Sequence, residues 1–390
     1  MSKINVRNLS NENEDGAPNL VGVTTFSATS YFVPTRGTTV QRPSDHVEVG
    51  SLRYNYDIKN LEYYRGDTIG WAQFDLIDPD LGGGTGSNTG LGIRAVLPGG
   101  MSSPGRSASI SALTISTLGN TQDFGDLAAG INANAGLSNR TRGLSIGGSQ
   151  ASPVGRVNVI EFFTFASLGD AADFGDMSFA VAENGTTSNN VRGIAAGGSP
   201  GPSNVMDYVT IASTGNTVDY GDLAVAREGL AQGCISNGTR GIFSGGNAPT
   251  MLNNIEFVTI MTTGNTSDFG DMTATMSRQA NCCSSTRGLI SGGMNPSVTN
   301  TIEFLTIATT GDSADFGDMT SARYNHGGAS SPTRALFLAG QPTPNAVNVI
   351  DFVEIATTGD AVDFGDTDVA GATNGVIRPT GTSSNGHGGL

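Results

Sequence analysis

The chain has 390 residues, a formal net charge of −15, 56 glycines and only 14% charged residues. An acidic chain repels phosphate backbones, so the composition argues against nucleic-acid binding through a basic face. The start lacks a signal-peptide core and no segment approaches the ~18 apolar residues of a membrane helix, so we expect folding in a reducing cytoplasm without membrane insertion.

The first region, residues 1–77, differs in composition from the rest of the chain. Its segment GSLRYNYDIKNLEYYRGDTIGW (50–71) predicts a β-hairpin, with two aromatic-rich strands around a YDIKN turn. The preceding PTRGTTVQRPSD (34–45) is punctuated by proline and is expected to be extended. The aromatic residues of this region are Tyr54, Tyr56, Tyr63, Tyr64 and Trp71. DPDLGGGTGSNTGLG (78–92) then predicts a flexible, Gly-rich linker.

A tetrad of the form DFGD recurs six times in the remainder of the chain. The copies begin at Asp123, Asp173, Asp219, Asp268, Asp315 and Asp363, at spacings of 50, 46, 49, 47 and 48 residues. Each copy has an apolar strand ending in glycines, such as TRGLISGG (286–293), and an alternating strand before a Gly-Asn or Gly-Asp turn, such as EFLTIATTGD (303–312). The DFGD segment and a weaker fourth strand, such as DMTSARYNHGGAS, complete the unit.

Four short strands per unit of about 48 residues are typical of a β-propeller blade. The sequence therefore predicts an all-β fold, with a six-bladed propeller over 93–377 and a flexible C-terminal tail over 378–390. Ring closure is expected to bring 93–100 near the segment at 363–377.

The DFG letters also occur in the metal-binding loop of protein kinases. A kinase needs a strand lysine and an HRD-type catalytic loop as well, and the only lysines, Lys3 and Lys59, precede the repeats. We instead interpret the aromatic residue of each tetrad as a packing anchor, whose burial contributes roughly 1.5–3 kcal/mol. The glycine beside it would permit a bulge or tight turn. The anchors are Phe124, Phe174, Tyr220, Phe269, Phe316 and Phe364.

An arginine precedes the glycine-ending strand in every copy. These residues are Arg94, Arg142, Arg192, Arg240, Arg287 and Arg334. An acid opens the next strand in five copies, at Glu161, Asp207, Glu256, Glu303 and Asp351, whereas copy one has Ser111. We favour Arg–carboxylate pairs between neighbouring strands or blades, and a ring of arginines that binds an anionic glycan is the alternative.

Metal and enzyme chemistry have little support in the sequence. Cys234, Cys282 and Cys283 are an odd number without a CxxC pattern, which predicts neither a disulfide framework nor a zinc site. The chain has only three histidines, and just one of them, His326, lies in the repeats, so we expect no catalytic residues and no cofactor. Calcium at acidic turns such as Asp312, Asp315 and Asp318 is a minor alternative, because calcium needs several converging oxygens.

Two resemblances follow from these motifs. The apolar run ending in Gly-Gly, once per ~50 residues, resembles the kelch repeat, although the usual Tyr and Trp of each blade are missing. The fuller unit, carried by EFLTIATTGD, DFGDM and TRGLISGG, resembles repeats in virion proteins of tailed phages that infect cyanobacteria and other marine bacteria. The N-terminal pattern RP…GSLRYN…LEYY…W resembles a short module of phage tail-fibre and other virion proteins.

The resemblance implies a non-enzymatic virion structural protein, associated with the tail, tail fibre or baseplate and assembled in the host cytoplasm. Residues 1–92 would attach to other virion proteins, and the propeller would contact a protein or the host surface. Alternatives are a glycan- or receptor-binding adhesin, a capsid or neck decoration protein and, least favoured, a polysaccharide hydrolase. A homo-oligomer is compatible with this implication, but no heptad pattern predicts a coiled-coil trimer.

Overall fold

A computed structural model describes the architecture of this chain. The described residues are 34–43, 47–58, 60–73, 93–102, 105–342, 347–367 and 381–390. They divide into two compact units, Met1–Asp78 and Pro79–Leu390, and are all-β apart from a single 3-10 turn at Thr39–Gln41. Within these ranges no helix is long and apolar enough to cross a membrane. The predicted linker, 78–92, lies outside the described residues.

The N-terminal unit is a four-stranded sheet. In sheet order its strands are Thr35–Gly37, Leu52–Asn55, Asn60–Tyr64 and Trp71–Gln73. The second and third strands pair antiparallel from Leu52 with Tyr63 to Asn55 with Asn60, which confirms the predicted hairpin. The first strand adds in parallel to the second, and Trp71 begins a fourth strand instead of closing the hairpin.

The described part of the C-terminal unit contains six sheets, each built on four antiparallel strands. In sheet order they are Ser383–Ser384, Arg94–Pro98, Ser109–Thr114 and Gln122–Asp126 (sheet 1); Ala135–Ser138, Arg142–Ile146, Val159–Thr164 and Ala172–Asp176 (sheet 2); Gly185–Ser188, Arg192–Ala196, Ser203–Thr210 and Val218–Arg227 (sheet 3); Ile235–Ser236, Arg240–Ser244, Thr250–Thr259 and Ser267–Met276 (sheet 4); Ala280–Cys283, Arg287–Ser291, Thr301–Thr306 and Ala314–Asp318 (sheet 5); and Gly327–Ser330, Arg334–Gly340, Val347–Glu354 and Val362–Asp366 (sheet 6). This arrangement is consistent with a propeller-like fold.

Several two-residue strands lie next to these sheets. They are Met101–Ser102, Gly105–Arg106, Ile131–Asn132, Ser149–Gln150, Gly155–Arg156, Gln232–Gly233, Asn247–Ala248, Met294–Asn295 and Ser297–Val298. Most of them form small hairpins next to the glycine-ending strands. Gln232–Gly233 instead runs parallel to the first strand of sheet 5.

The sheets are offset by one strand from the units read in the sequence. In the sequence repeat, the weak fourth strand follows the DFGD segment of the same unit. In the structure, it pairs with the glycine-ending strand of the next unit. Gly327–Ser330, for example, pairs with Arg334–Gly340. Only residues 331–333 connect these two strands, so they form a local hairpin. Each sheet therefore combines the fourth strand of one unit with the first three strands of the next.

This offset leaves the first glycine-ending strand without a preceding partner, and the C-terminus supplies one. Ser383 and Ser384 pair antiparallel with Val96 and Ala95. Eight of the ten residues in 381–390 are buried. The prediction of a flexible tail over 378–390 is therefore wrong for 381–390, which we call the closing segment.

The core consists of six apolar clusters, each shared by two consecutive sheets. One cluster, for example, joins Ile160 and Phe174 of sheet 2 to Val209 of sheet 3. The other clusters join sheets 1 and 2, 3 and 4, 4 and 5, and 5 and 6 in the same way. The last one packs Phe364 of sheet 6 with Leu97 of sheet 1, so the series of sheets returns to its start.

Candidate functional site

The aromatic residue of each DFGD tetrad lies in the core. All six rings are only 2–3% exposed. Five of them meet an aromatic ring of the preceding strand edge to face, as Phe174 meets Phe162 with ring centroids 6.1 Å apart. Such pairs stabilise a core beyond the area that they bury.

The glycine of each tetrad allows two sheets to approach closely. The partner strand skips the aromatic residue, since Ile160 pairs with Gly175 and Glu161 with Asp173, which is the bulge that the sequence predicts. Gly175 has a φ of +146°, and a Cβ added to it would lie 2.5 Å from the carbonyl oxygen of Gly215 in the next sheet. A side chain at this position would therefore meet rigid backbone as well as an unfavourable φ.

The Asn or Asp of each Gly-Asn or Gly-Asp turn bonds the neighbouring sheet and not its own turn. Asp170 Oδ1 accepts a hydrogen bond from the backbone N–H of Asp126 at 3.0 Å. The same bond recurs at the other five junctions, where the acceptors are Asn216, Asn265, Asp312, Asp360 and Asn120. The side chain of this Asn or Asp therefore fixes its turn to the DFGD strand of the neighbouring sheet.

The recurring arginines connect neighbouring sheets through neutral groups. Arg287 Nη1 donates to the carbonyl oxygen of Ile355 at 2.9 Å, and its guanidinium lies 4.5 Å from the centre of the Phe304 ring. Equivalent bonds to the next sheet are made from Arg94, Arg142, Arg192, Arg240 and Arg334. Among the described residues, none of these arginines pairs with the acids that were expected as partners. Arg334 alone forms an ion pair, with Glu354.

The five recurring acids instead cap a backbone N–H of the preceding sheet. Asp207 accepts from the backbone N–H and the hydroxyl of Ser178, at 3.1 and 2.5 Å. The amides capped at the other four junctions belong to Ala128, Ala224, Thr273 and Thr320. A buried carboxylate is tolerated here because several donors converge on it.

Two buried arginines were not among the predicted site residues. Arg227 and Arg323 are completely buried and pair with Glu256 at 2.8 Å and Asp351 at 2.7 Å. Burial lowers the pKa of each guanidinium, and the adjacent carboxylate opposes that shift. Each arginine lies seven residues after the aromatic anchor of its repeat, where repeats 1, 2 and 4 have Ile131, Val181 and Met276. The sequence does show these arginines, in the triplets ARE (226–228) and ARY (322–324), because each places a charged residue where other repeats have an apolar one.

One residue from the first strand of each sheet takes part in a closed cycle of hydrogen bonds. In order the cycle contains Ser384, Ser138, Ser188, Ser236, Cys283 and Ser330. Ser138 Oγ donates to the carbonyl oxygen of Ser384 at 2.7 Å, and Ser384 Oγ donates to that of Ser330 at 2.6 Å. The closing segment therefore supplies the link that completes the cycle.

His387 of the closing segment lies inside this cycle. Its Nε2 is 3.2 Å from the carbonyl oxygen of Ser138, and its Nδ1 accepts from the backbone N–H of Gly389 at 3.2 Å. Burial alone would raise the pKa of the Cys234 thiol, but the adjacent Cys283 and His387 lower that pKa well below the usual value. Burial by itself would lower the pKa of His387, but the Cys234 charge and the hydrogen bonds to Cys234 and to the Ser138 carbonyl oxygen together raise that pKa.

This centre has little room for a substrate. The cavity lined by Ser138, Cys234 and His387 has a volume of about 10 Å³, enough for about one water molecule. Cys282 is also enclosed, and its thiol donates to the carbonyl oxygens of Ala329 and Leu336, both at 3.4 Å. The cysteines thus belong to the packing of the first strands.

The N-terminal unit is organised around a buried carboxylate. Glu62 is completely buried and accepts hydrogen bonds from Arg42, Arg53 and Asn55. Trp71 packs on Tyr64 with ring centroids 5.3 Å apart, and its Nε1 donates to the carbonyl oxygen of Pro43 at 3.2 Å. The RP, RYN, LEYY and W elements of the sequence pattern therefore meet in one polar and aromatic cluster.

The other aromatic residues of the hairpin are more exposed. Tyr56 is 47% exposed and meets the half-buried Tyr54 edge to face at 6.0 Å. Tyr63 is also half-buried.

Within the described ranges, no three His, Cys, Asp or Glu side chains are grouped in a way that could hold a metal ion. Asp312, one of the acids considered for calcium, accepts the inter-sheet hydrogen bond from Asp271. Neither a scan against protein-family models nor a search of curated proteins gives a match to this chain.

Proposed function

We propose that the six sheets are the blades of a six-bladed, kelch-like propeller and that the protein is a non-enzymatic virion structural protein. The observation that supports this best is the closed series of equivalent contacts. Six apolar clusters, six turn-to-amide bonds and one hydrogen-bonded cycle each return from sheet 6 to sheet 1. Such a ring is a rigid platform with protected strand edges.

Ring closure by residues 381–390 gives this proposal a direct test. Deletion of this segment removes the Ser384 bonds at both ends of the cycle, the Thr382 bond to Gly328 and the strand beside Ala95 and Val96. At about 1 kcal/mol for each of some five hydrogen bonds, the loss is comparable to the whole stability of a domain. We expect extensive proteolysis and loss of the cooperative unfolding transition.

Ser384→Ala in the full-length chain is the matched control for this deletion. It removes the Ser384 hydroxyl and keeps the closing strand, so it should cost only about 1–2 kcal/mol. A deletion variant as stable as the full chain would contradict closure by the C-terminus. A projection image of the purified protein with five or seven lobes would contradict the six-bladed arrangement by itself.

In this proposal the ring displays its outer surface, since the centre is occupied by the chain's own closing segment. The turns of the alternating strands carry exposed apolar residues, among them Leu118, Leu168 and Met261, which are 63%, 65% and 49% exposed. Exposed apolar groups at the ends of rigid strands suit contact with another protein. The partner would be a neighbouring virion protein or a receptor on the host surface.

Residues 1–92 would attach the protein to the particle. Two features support this role: residues 1–78 form a compact unit of their own, and Glu62 accepts hydrogen bonds from Arg42 and Arg53 of that same unit. Virion-incorporation assays with residues 93–390 should show a folded ring that is absent from particles. Incorporation of the truncated protein at the full-length level would refute this assignment of roles.

An adhesin that binds host glycans is the main competing function. A glycan array on the same 93–390 fragment separates the two functions. Specific glycan binding would favour the adhesin, whereas a blank array together with normal folding would favour a purely structural role.

A further inference from the structure

The first repeat departs from the other five at one position of the alternating strand. In repeats 2–6 this position holds an aromatic ring between the recurring arginine and the DFGD ring. The rings are Phe162, Tyr208, Phe257, Phe304 and Phe352, and they lie 4.1–4.9 Å from the guanidinium groups. Repeat 1 has Ala112, which pairs with Gln122 as Phe162 pairs with Ala172.

The missing ring leaves an open cleft in sheet 1. The cleft has a volume of about 390 Å³, within the ~300–1,000 Å³ of small-molecule sites. Its lining includes Arg94, Ala112, Gln122 and Asp123, together with the turn at 117–120 and Leu168 of sheet 2. The cleft thus combines a cation, an anion and exposed apolar groups.

In the core below the cleft, a ring from the neighbouring sheet takes the place of the missing aromatic partner. Phe163 meets Phe124 edge to face at 5.6 Å, so the DFGD ring of repeat 1 keeps an aromatic partner. Repeats 3–6 have Val209, Val258, Leu305 and Val353 where repeat 2 has Phe163. The substitution is therefore compensated inside the core, whereas the space beside Arg94 stays open.

Arg94 makes the same inter-sheet hydrogen bond as its counterparts, but no aromatic ring among the described residues stacks on it. Its Nη1 donates to the carbonyl oxygen of Phe165 at 2.7 Å, and the residue is only 9% exposed. A largely buried guanidinium attracts the face of an aromatic ring more strongly than an exposed one, because water screens it less. The repeat itself shows the geometry of such a complex, since Tyr208 lies 4.1 Å below Arg192.

We propose that this cleft is a binding site for a phenolic ring, which takes the place of the missing side chain and stacks on Arg94. The face of the ring would contact the guanidinium, and its edges would cover Leu118 and Leu168. Gln122 and Asp123 line the mouth and offer acceptors for the phenol hydroxyl. The ring could be the side chain of a tyrosine on a partner protein or a free phenolic compound. This proposal holds whether or not the protein is a virion component.

A titration of the full chain with p-cresol, followed by NMR or calorimetry, tests the site. Ala112→Phe supplies the ring from within and should weaken binding at least tenfold. Phe162→Ala should open a similar cleft beside Arg142, next to Leu168, and raise the stoichiometry from one to two. Unchanged binding to Ala112→Phe, or no binding to the unmodified chain, would overturn the proposal.

Two further measurements keep the test decisive. If Ala112→Phe does not fold, Arg94→Gln replaces it and should also weaken binding at least tenfold; normal affinity for a folded Arg94→Gln refutes stacking. The peptides Gly-Tyr-Gly and Gly-Ala-Gly separate the two sources of the ring. Binding of Gly-Tyr-Gly at least as tight as that of p-cresol supports a tyrosine side chain, whereas binding of p-cresol alone supports a free phenol.

Discussion

The close approach at the DFGD glycine can be measured with two alanine substitutions. Gly175, in the tetrad of repeat 2, has a φ of +146°, and its Cβ position lies 2.5–3.0 Å from backbone atoms of Gly215 and Asn216. Gly169, in the turn of the same repeat, has a φ of +145° with no atom within 4 Å of its Cβ position. Gly175→Ala and Gly169→Ala therefore impose the same backbone strain and differ in the contact.

The structure sets the expected difference between the two variants. An alanine at such a φ costs about 1–3 kcal/mol, and this cost is common to both. Gly175→Ala adds overpacking, typically about 1–3 kcal/mol, because the groups that it meets are backbone and cannot rotate away. It also strains the hydrogen bond from the Gly215 N–H to the Phe174 carbonyl oxygen, 2.7 Å long and worth about 1 kcal/mol. We expect Gly175→Ala to be the less stable variant by about 2–4 kcal/mol.

Equilibrium unfolding in urea measures this difference. Both variants should keep the m value of the parent chain and shift the midpoint, with the larger shift for Gly175→Ala. Equal shifts would show that the neighbouring turn moves aside at no cost. The interpretation of the DFGD glycine as a point of obligatory contact between sheets would then be wrong.

The remaining predictions concern buried charges. Arg323→Met should cost about 3 kcal/mol, because Asp351 stays buried without its partner, and a double-mutant cycle with Asp351→Asn should show coupling. Burial and the Arg323 guanidinium lower the pKa of His326, so below pH ~6.5 the unfolded chain takes up a proton on this imidazole that the folded chain does not. This difference should make the protein less stable as the pH decreases below ~6.5. His326→Gln should reduce this dependence of stability on pH, as measured by urea titrations at several pH values. Glu62→Gln leaves the buried Arg53 and the partly exposed Arg42 without their counter-charge and should lower the midpoint of the fluorescence transition of Trp71, the only tryptophan, without changing that of the circular-dichroism signal. Additive energies in the cycle, an unchanged pH dependence, or parallel shifts of both signals would contradict these three predictions in turn.

Much of the architecture could be predicted because the same pattern of apolar residues, glycines and turns occurs six times in the sequence. A single DFGD tetrad is ambiguous, but six copies at nearly constant spacing identify the aromatic residue as a packing position. The strand types, the hairpin and the bulge at the glycine all follow from local chemistry, namely alternation of apolar residues and tolerance of a positive φ. These features require no knowledge of which strands become neighbours.

The partners of charged groups could not be predicted, because they depend on the offset between sheets. The acids at Asp207 and Asp351 alternate with apolar residues in the same way as any surface acid, and only the structure shows the amides that they cap. The offset also hides the role of the closing segment, whose Gly, Ser and Asn residues are typical of a flexible tail. The Gly, Ser and Asn residues of the closing segment are ordered by burial and by hydrogen bonds to the first strands of the sheets, and not by hydrophobic side chains.

The pairing of residues 381–390 with the strand at Arg94–Pro98 has a consequence for biosynthesis. All strands of sheets 2–6 have been made once residue 366 is added, but sheet 1 lacks a strand until Ser383 and Ser384 follow. A chain that ends only ten residues early therefore presents an unpaired edge at Arg94–Pro98 and an unfilled centre. Until residues 381–390 have been added, this edge is available for pairing with another strand, and the growing chain is prone to misassembly.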